Sequence, residues 1–244
     1  MSEELGRVRA PTGEIAIFDV GLAGSVAAHD LERWMVTAPA PRDRELRVIG
    51  SRLGRGRFGA CWDWVAVVLG DGAPAREQLL GEVTVDFARL LVIDREGLGA
   101  WQHEDSLDGK ADFVFWGRDA EALAAAIDAP AIDEGYGWID LAVDECVARG
   151  RRAEELKAEQ RWKLATDFRP HSHHYLGLAQ VRASPTESGT IDVGGAPACL
   201  FATSWGDGVF PIFADRDARD ELVRVRVQLA TPASIEAMES VNPA

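Results

Sequence analysis

Residues 222–229 (Leu-Val-Arg-Val-Arg-Val-Gln-Leu) constrain the fold more tightly than any other stretch of the chain. Val223, Val225, Val227 and Leu229 fall on one side; Leu222, Arg224, Arg226 and Gln228 fall on the other. A period of two marks a strand with one face in a core and the other in water. The Val face is therefore expected to be buried and the Arg face wet. Shorter β-rich runs recur at 14–18, 46–49, 64–69, 82–85, 89–93 and 113–116, and again at 178–182, 198–203 and 209–213. Gly, Asp or Pro flanks most of them, as turns between strands require. Few strands alternate regularly with helices, which argues against a doubly wound parallel sheet.

Two segments read as helices. Residues 119–127 are Ala-rich, with Asp119 placed as an N-cap. A longer one runs from about 140 to 165, with Val143, Val147, Gly150, Ala153 and Leu156 at three-to-four spacing. Gly150 costs about 1 kcal/mol relative to Ala inside a helix, so a bend or break is expected there. The fold class predicted is α+β: mainly antiparallel β-sheet with one long helix packed on it. One domain over 1–244 is expected, with a sub-boundary near 80 between two β-rich halves. Residues 13–19 and 88–94 echo each other as short strands ending in Asp19 and Asp94. Such an ending is too common to establish duplication by itself.

The chain has 40 acidic and 26 basic side chains, a formal net charge of −14. Residues 1–80 are close to neutral, and the excess lies beyond them. Such a surface repels nucleic acid and anionic lipid and attracts basic proteins. Cys61, Cys146 and Cys199 are odd in number and widely spaced, which excludes a disulfide framework or a four-Cys zinc site. The acidic start Met1-Ser2-Glu3-Glu4 has no apolar signal segment, and 64–69 is too short to span a bilayer. A cytoplasmic setting is the expectation.

Chemistry-bearing motifs are sparse. Residues 54–59 spell Gly-x-Gly-x-x-Gly, but between two strand-like runs rather than between a strand and a helix. The lysine and aspartate signatures of a kinase are missing around it. Arg55 and Arg57 make this loop a candidate anion-binding site. His171, His173 and His174 form the densest metal-like cluster, and two imidazoles plus a carboxylate could hold a divalent metal. No Gly-x-Ser-x-Gly occurs, and Cys61 has no base beside it in sequence. In Trp205-Gly206-Asp207-Gly208-Val209-Phe210-Pro211 the glycines allow a tight turn around Asp207. Trp205 and Asp207 are candidate binding residues, and Pro211 calls for an edge or a bulge.

Residues 203–213, followed by a charged turn and the strand at 222–229, resemble the C-terminal signature of an uncharacterised bacterial family, domain of unknown function number 4241. The segment ending in Asp94 is similar to that family's mid-chain segment. The likeness spans about a fifth of the chain. Ala214-Asp215-Arg216-Asp217 stands where members often carry a Gly-Tyr-Asp type turn. The resemblance implies a β-rich fold and no established activity. Charge and composition favour a binding or interaction protein over an enzyme, with no resident cofactor and a basic protein as partner, in the manner of an acidic immunity protein. The competing expectation is a small-molecule or metal-dependent enzyme joining Asp207, Trp205 and the histidines.

Overall fold

The computed structural model describes residues 2–24, 28–53, 61–133 and 135–241; at 28, 29, 237–239 and 241 it gives the backbone alone. In chain order the strands are β1 (Ser2–Arg9), β2 (Glu14–Asp19), β3 (Val36–Pro39), β4 (Glu45–Arg52), β5 (Trp62–Val68), β6 (Arg76–Val85), β7 (Arg89–Asp94), β8 (Lys110–Gly117), β9 (Ala131–Ile132), β10 (Gly135–Ala142), β11 (Leu164–Pro170), β12 (Ser188–Val193), β13 (Ala196–Ala202), β14 (Gly208–Arg216) and β15 (Leu222–Gln228). The helices are α1 (Ala28–Leu31), α2 (Ala120–Ile127), α3 (Val143–Gln160), α4 (His173–Ala183) and α5 (Pro232–Val241). Among the described residues every ladder is antiparallel, so the molecule is α+β with mainly antiparallel sheet.

The chain divides into two compact units: Met1–Trp101 with Gly177–Ala244, and Gln102–Leu176. Position 80, the sub-boundary suggested by the sequence, lies inside β6.

The first unit is a two-sheet sandwich. One sheet runs β1-β4-β5-β15-β14-β6, the other β12-β13-β7-β2-β3. Phe18, Leu46, Val65, Leu91, Phe201, Ile212 and Val225, drawn from both sheets, share one core. Burying a side chain of this size contributes about 1.5–3 kcal/mol. A slip of one residue would turn a whole strand's apolar set to water, so this pattern fixes the register.

The order of the six-stranded sheet is the same from either edge: β1-β4-β5 from one side, β6-β14-β15 from the other. The second sheet is built around the pair β2·β7, flanked by β3 and β13. The matching extends to single residues. Leu5-Gly6-Arg7-Val8 in β1 corresponds to Leu80-Gly81-Glu82-Val83 in β6, and each strand carries a register shift beside its Leu-Gly pair. Gly13 and Ala88, at equivalent turns, both have positive φ, 93° and 51°. Asp19 and Asp94 close equivalent strands. Each accepts the backbone N–H at the other half's turn: Phe87 to Asp19 at 2.9 Å, Thr12 to Asp94 at 3.0 Å. The unit is thus two copies of one β-motif about an approximate two-fold axis, and the faint sequence echo marks it. Among the described residues β12 has no equivalent strand in the first half.

The β15 expectation needs correction on one face. The Val face is buried, but Arg226 is only 7% exposed. Asp215, 2% exposed, receives Arg226 at 3.0 Å and also pairs with Arg224. Glu77 and Gln228 each accept a further guanidinium N–H at 2.6 Å, and the group lies over the Phe213 ring. These charge-assisted bonds offset the desolvation of the arginine. Pro211 stands one residue ahead of the β14–β15 ladder and beside the register shift of β14 against β6, where a missing N–H is tolerated.

The second unit runs β8-α2-β9-β10-α3-β11 with sheet order β11-β8-β10-β9. That connectivity is the split β-α-β, or ferredoxin-like, arrangement. Phe113, Phe115, Leu123, Cys146, Ala153 and Leu156 form its core between sheet and helices. The long helix is α3, shorter than the span expected from sequence, and it packs on this four-stranded sheet. It continues through Gly150 without a break. A Cβ there would sit 3.3 Å from the Phe113 ring, so the glycine serves close helix–sheet approach. Asp119 makes no side-chain cap to α2; its carboxylate accepts the Lys163 N–H at 2.6 Å and pairs with Arg118 instead.

The strand expected at 178–182 is helix α4. Its buried positions Leu178 and Val181 are three apart, a helical spacing that a five-residue window cannot separate from alternation.

Candidate functional site

The Gly-Asp-Gly segment joins β13 to β14. Ser204 at φ 60° and Gly206 at φ 78° turn the chain. Asp207 is exposed, and its Oδ1 accepts the Ala88 N–H at 3.0 Å, tying this turn to the one between β6 and β7. Thr203 Oγ1 donates to the Gly206 carbonyl at 2.7 Å. Trp205 Nε1 donates to the Trp62 carbonyl at 2.8 Å, and the Ser204 hydroxyl accepts from the Trp62 N–H at 2.8 Å. Asp207 and Trp205 therefore tie the β13–β14 turn to the β6–β7 turn and to the start of β5. Arg55 and Arg57, with the whole Gly-x-Gly-x-x-Gly loop, lie outside the described residues.

The histidines belong to the second unit and to three separate environments. His171 follows β11. Its Nδ1 lies 2.9 Å from Asp108, and its Nε2 lies 3.3 Å from Asp112 and 4.0 Å from Asp140. Burial works against the imidazolium, but the hydrogen bonds to Asp108 and Asp112 and the charges of both outweigh it, so the His171 pKa is raised. The same bond from His171 holds the Asp108 carboxyl down, to about 2.

His173 and His174 open α4 rather than alternating along a strand. His173 Nδ1 accepts the Gln102 N–H at 2.9 Å. That bond places any single ring proton on Nε2. His174 packs against His103, ring centroids 4.2 Å apart and planes tilted by 40°, and meets the edge of Tyr175 at 5.3 Å. Among the described residues, no group of three or more His, Cys, Asp or Glu side chains is arranged to hold a metal ion. The metal expectation finds no ligand set there.

The thiols are not nucleophiles in waiting. Burial pushes Cys146 up to about 11 and Cys199 higher still. Burial also raises Cys61, although its Sγ donates to the Ser204 carbonyl, and a protonated thiol is a poor nucleophile.

A feature that sequence reasoning missed lies at the edges of the six-stranded sheet. At the β1 edge, β12 closes the seam between the sheets: Ser188 Oγ donates to the Leu5 carbonyl at 2.7 Å, and the Arg7 N–H donates to Thr190 Oγ1 at 3.0 Å. Leu5 is 5% exposed beneath it. At the equivalent β6 edge the matching Leu80 is 38% exposed and Leu79 55%. All of Arg76–Leu80 is exposed, and Glu77 and Glu82 stand exposed on either side of the two leucines. Two adjacent exposed leucines on an edge strand are a template for pairing with another chain. The only signal in sequence was the pair Leu79-Leu80 within 76–85, visible as an edge only once the strand order is known.

Compared with family models, curated proteins and solved structures, the chain matches none. Among the described residues no helix is long and apolar enough to cross a membrane.

Proposed function

We propose that this chain is a binding protein that takes up an extended, basic segment of a partner protein along the outer edge of β6. The observation that carries this reading is the contrast between the two equivalent edges. One is covered by β12; the other presents Leu79 and Leu80 between two glutamates. Strand addition supplies affinity through main-chain hydrogen bonds and specificity through alternate side chains. Glu82, exposed beside the two leucines in a chain of net charge −14, favours lysine or arginine on the incoming strand and speeds its approach. Neutralisation of a basic partner, as an immunity-type protein performs it, is the role these features fit best.

The test is co-purification of partners from the source cells with the native chain and with Leu79→Glu/Leu80→Glu. A basic protein held by the native chain, released by raised salt and absent from the double variant, is the expected result. A partner set unchanged by the double substitution would refute the β6 site.

A further inference from the structure

The two-fold relation inside the sandwich shows what the open edge is shaped to receive. Leu5, Gly6 and Arg7 of β1 answer to Leu80, Gly81 and Glu82 of β6, and at the same offset Ile17 of β2 answers to Val92 of β7. Ile17 pairs with Val36 on β3, and Val92 pairs with Cys199 on β13. The strand β3 is thus the counterpart of β13, with Val36 in the place of Cys199, Thr37 in that of Leu200 and Pro39 in that of Ala202. The glycines give an independent check: a Cβ on Gly6 would meet Cys199, and a Cβ on Gly81 would meet Val36.

On its outer side β13 has a further partner, and β3 has none among the described residues. The strand β12 runs antiparallel to β13, with Gly189 opposite Leu200 and Thr190 opposite Cys199. From there its Ser188 and Thr190 hydroxyls cross the seam to the Leu5 carbonyl and the Arg7 N–H. The equivalent place in the first half lies beside β3 and over Leu80 and Glu82. Its hydrogen-bonding groups follow from the ladder. The Ala40 N–H donates to the Gly13 carbonyl at 2.9 Å, so Ala38 and Val36 face β2 and Thr37 turns its N–H and C=O outward. The matching parity holds on β13, where the Ala202 N–H donates outward to the Glu187 carbonyl at 2.9 Å. Pro39, in the place of Ala202, has no N–H and ends the pairing at that point. Across the seam the Leu80 carbonyl and the Glu82 N–H take the positions of the Leu5 carbonyl and the Arg7 N–H.

We propose that the notch between β3 and β6 receives one extended segment of another protein, antiparallel to β3, with serine or threonine at two positions separated by one residue. The first hydroxyl donates to the Leu80 carbonyl and the second accepts the Glu82 N–H. The residue between them exchanges main-chain bonds with Thr37, as Gly189 is placed to do with Leu200. Exposed Glu82 favours lysine at the flanks. The inference rests on the partner-strand reading given above and adds to it a register and a recognition motif.

The probe is a capped peptide, Lys-Ser-Gly-Thr-Ile-Lys-Val, which is the sequence of residues 187–193 with its two acids changed to lysine. Its control has Ala and Val in place of Ser and Thr. Each is titrated into the full chain and followed by amide resonances. The expected result is saturable shifts at Thr37, Leu80 and Glu82, with the control bound about tenfold more weakly, as two unmade side-chain hydrogen bonds require. Glu82→Gln should leave that preference in place, whereas Glu82→Pro, which removes the N–H on an edge strand, should reduce it. The two peptides are compared on the native chain, so the result stands whether or not Glu82→Pro folds. Absence of saturable shifts up to millimolar peptide overturns the proposal, as does equal affinity of probe and control. Strong exchange protection of the Thr37 and Glu82 amides in the free chain also overturns it, because the chain would then fill the notch itself. Shifts confined to 76–80 overturn the register alone and leave the β6 edge as the docking place, which the Leu79→Glu/Leu80→Glu variant tests separately.

Discussion

Gly6 and Gly81 occupy equivalent places in the two halves of the sandwich, yet adding one methyl group should affect them very differently. A Cβ on Gly6 would lie 2.5 Å from Thr190 Oγ1 and 2.8 Å from Cys199 Sγ. Thr190 would have to move, and with it the acceptor of the Arg7 N–H. Overpacking of this kind costs about 1–3 kcal/mol, and a lost hydrogen bond about 0.5–1.5 kcal/mol. Replacing glycine restricts the unfolded chain and returns about 0.4–1 kcal/mol. Gly6→Ala should therefore destabilise by roughly 0.5–4 kcal/mol on these figures. A Cβ on Gly81 would meet one atom, Val36 Cγ2, at 3.2 Å, with no β12 equivalent beyond it. Gly81→Ala should stay within about 1 kcal/mol of the parent in either direction. Urea unfolding followed by tryptophan fluorescence gives both values as midpoint shifts at constant slope. Equal costs at the two glycines, or a larger cost at Gly81, would show that β12 does not close the β1 seam as described.

Other expectations can be checked separately. The His171 pKa lies above its ordinary 6.5, so the stability contributed by its carboxylate contacts is complete below that value and declines as pH rises through the raised pKa. Asp108 works in the opposite direction: its share is present above 3.8 and disappears as pH falls toward about 2. An NMR titration of His171 should show the raised value, and Asp108→Asn should lower it; a pKa at or below 6.5 in the native chain refutes the carboxylate contacts described for His171. Asp94→Ala removes the acceptor of the Thr12 N–H, the Thr12 hydroxyl and the Gly97 N–H, and should cost about 2–4 kcal/mol by urea unfolding. Gly150→Ala should fail to deliver the gain of about 1 kcal/mol usual for glycine removal inside a helix, because buried Phe113 cannot yield; a full gain in thermal stability argues against close packing there.

The parts of this fold that were legible in sequence are those with local periodicity. The Val223–Val225–Val227 alternation placed β15 and its buried face, and the Ala-rich run 119–127 placed α2. Sequence could not see partners. Arg226 looks wet in its own strand and is buried only because Asp215, Glu77 and Phe213 come from other strands. Gly150 looks like a helix breaker until Phe113 is found against it. In sequence the duplication showed as strands ending in Asp19 and Asp94; the Leu-Gly-x-Val match of 5–8 with 80–83 is too short to notice before the strands are paired, and positions such as Ile15 and Leu90 share burial rather than identity. Trp205 and Asp207 were distinctive as a turn, and their side-chain contacts stabilise that turn and the strands it joins. The β6 edge was invisible because an edge is a property of strand order, which long-range pairing decides.

Native-state hydrogen exchange resolved at single amides compares the two edges in one experiment. The Arg7 amide, bound to Thr190 Oγ1, should be strongly protected, while the outward amides of Arg76–Leu80 should exchange orders of magnitude faster. Matching protection at both edges would mean that β6 is already covered in the free protein, leaving no place for an incoming strand.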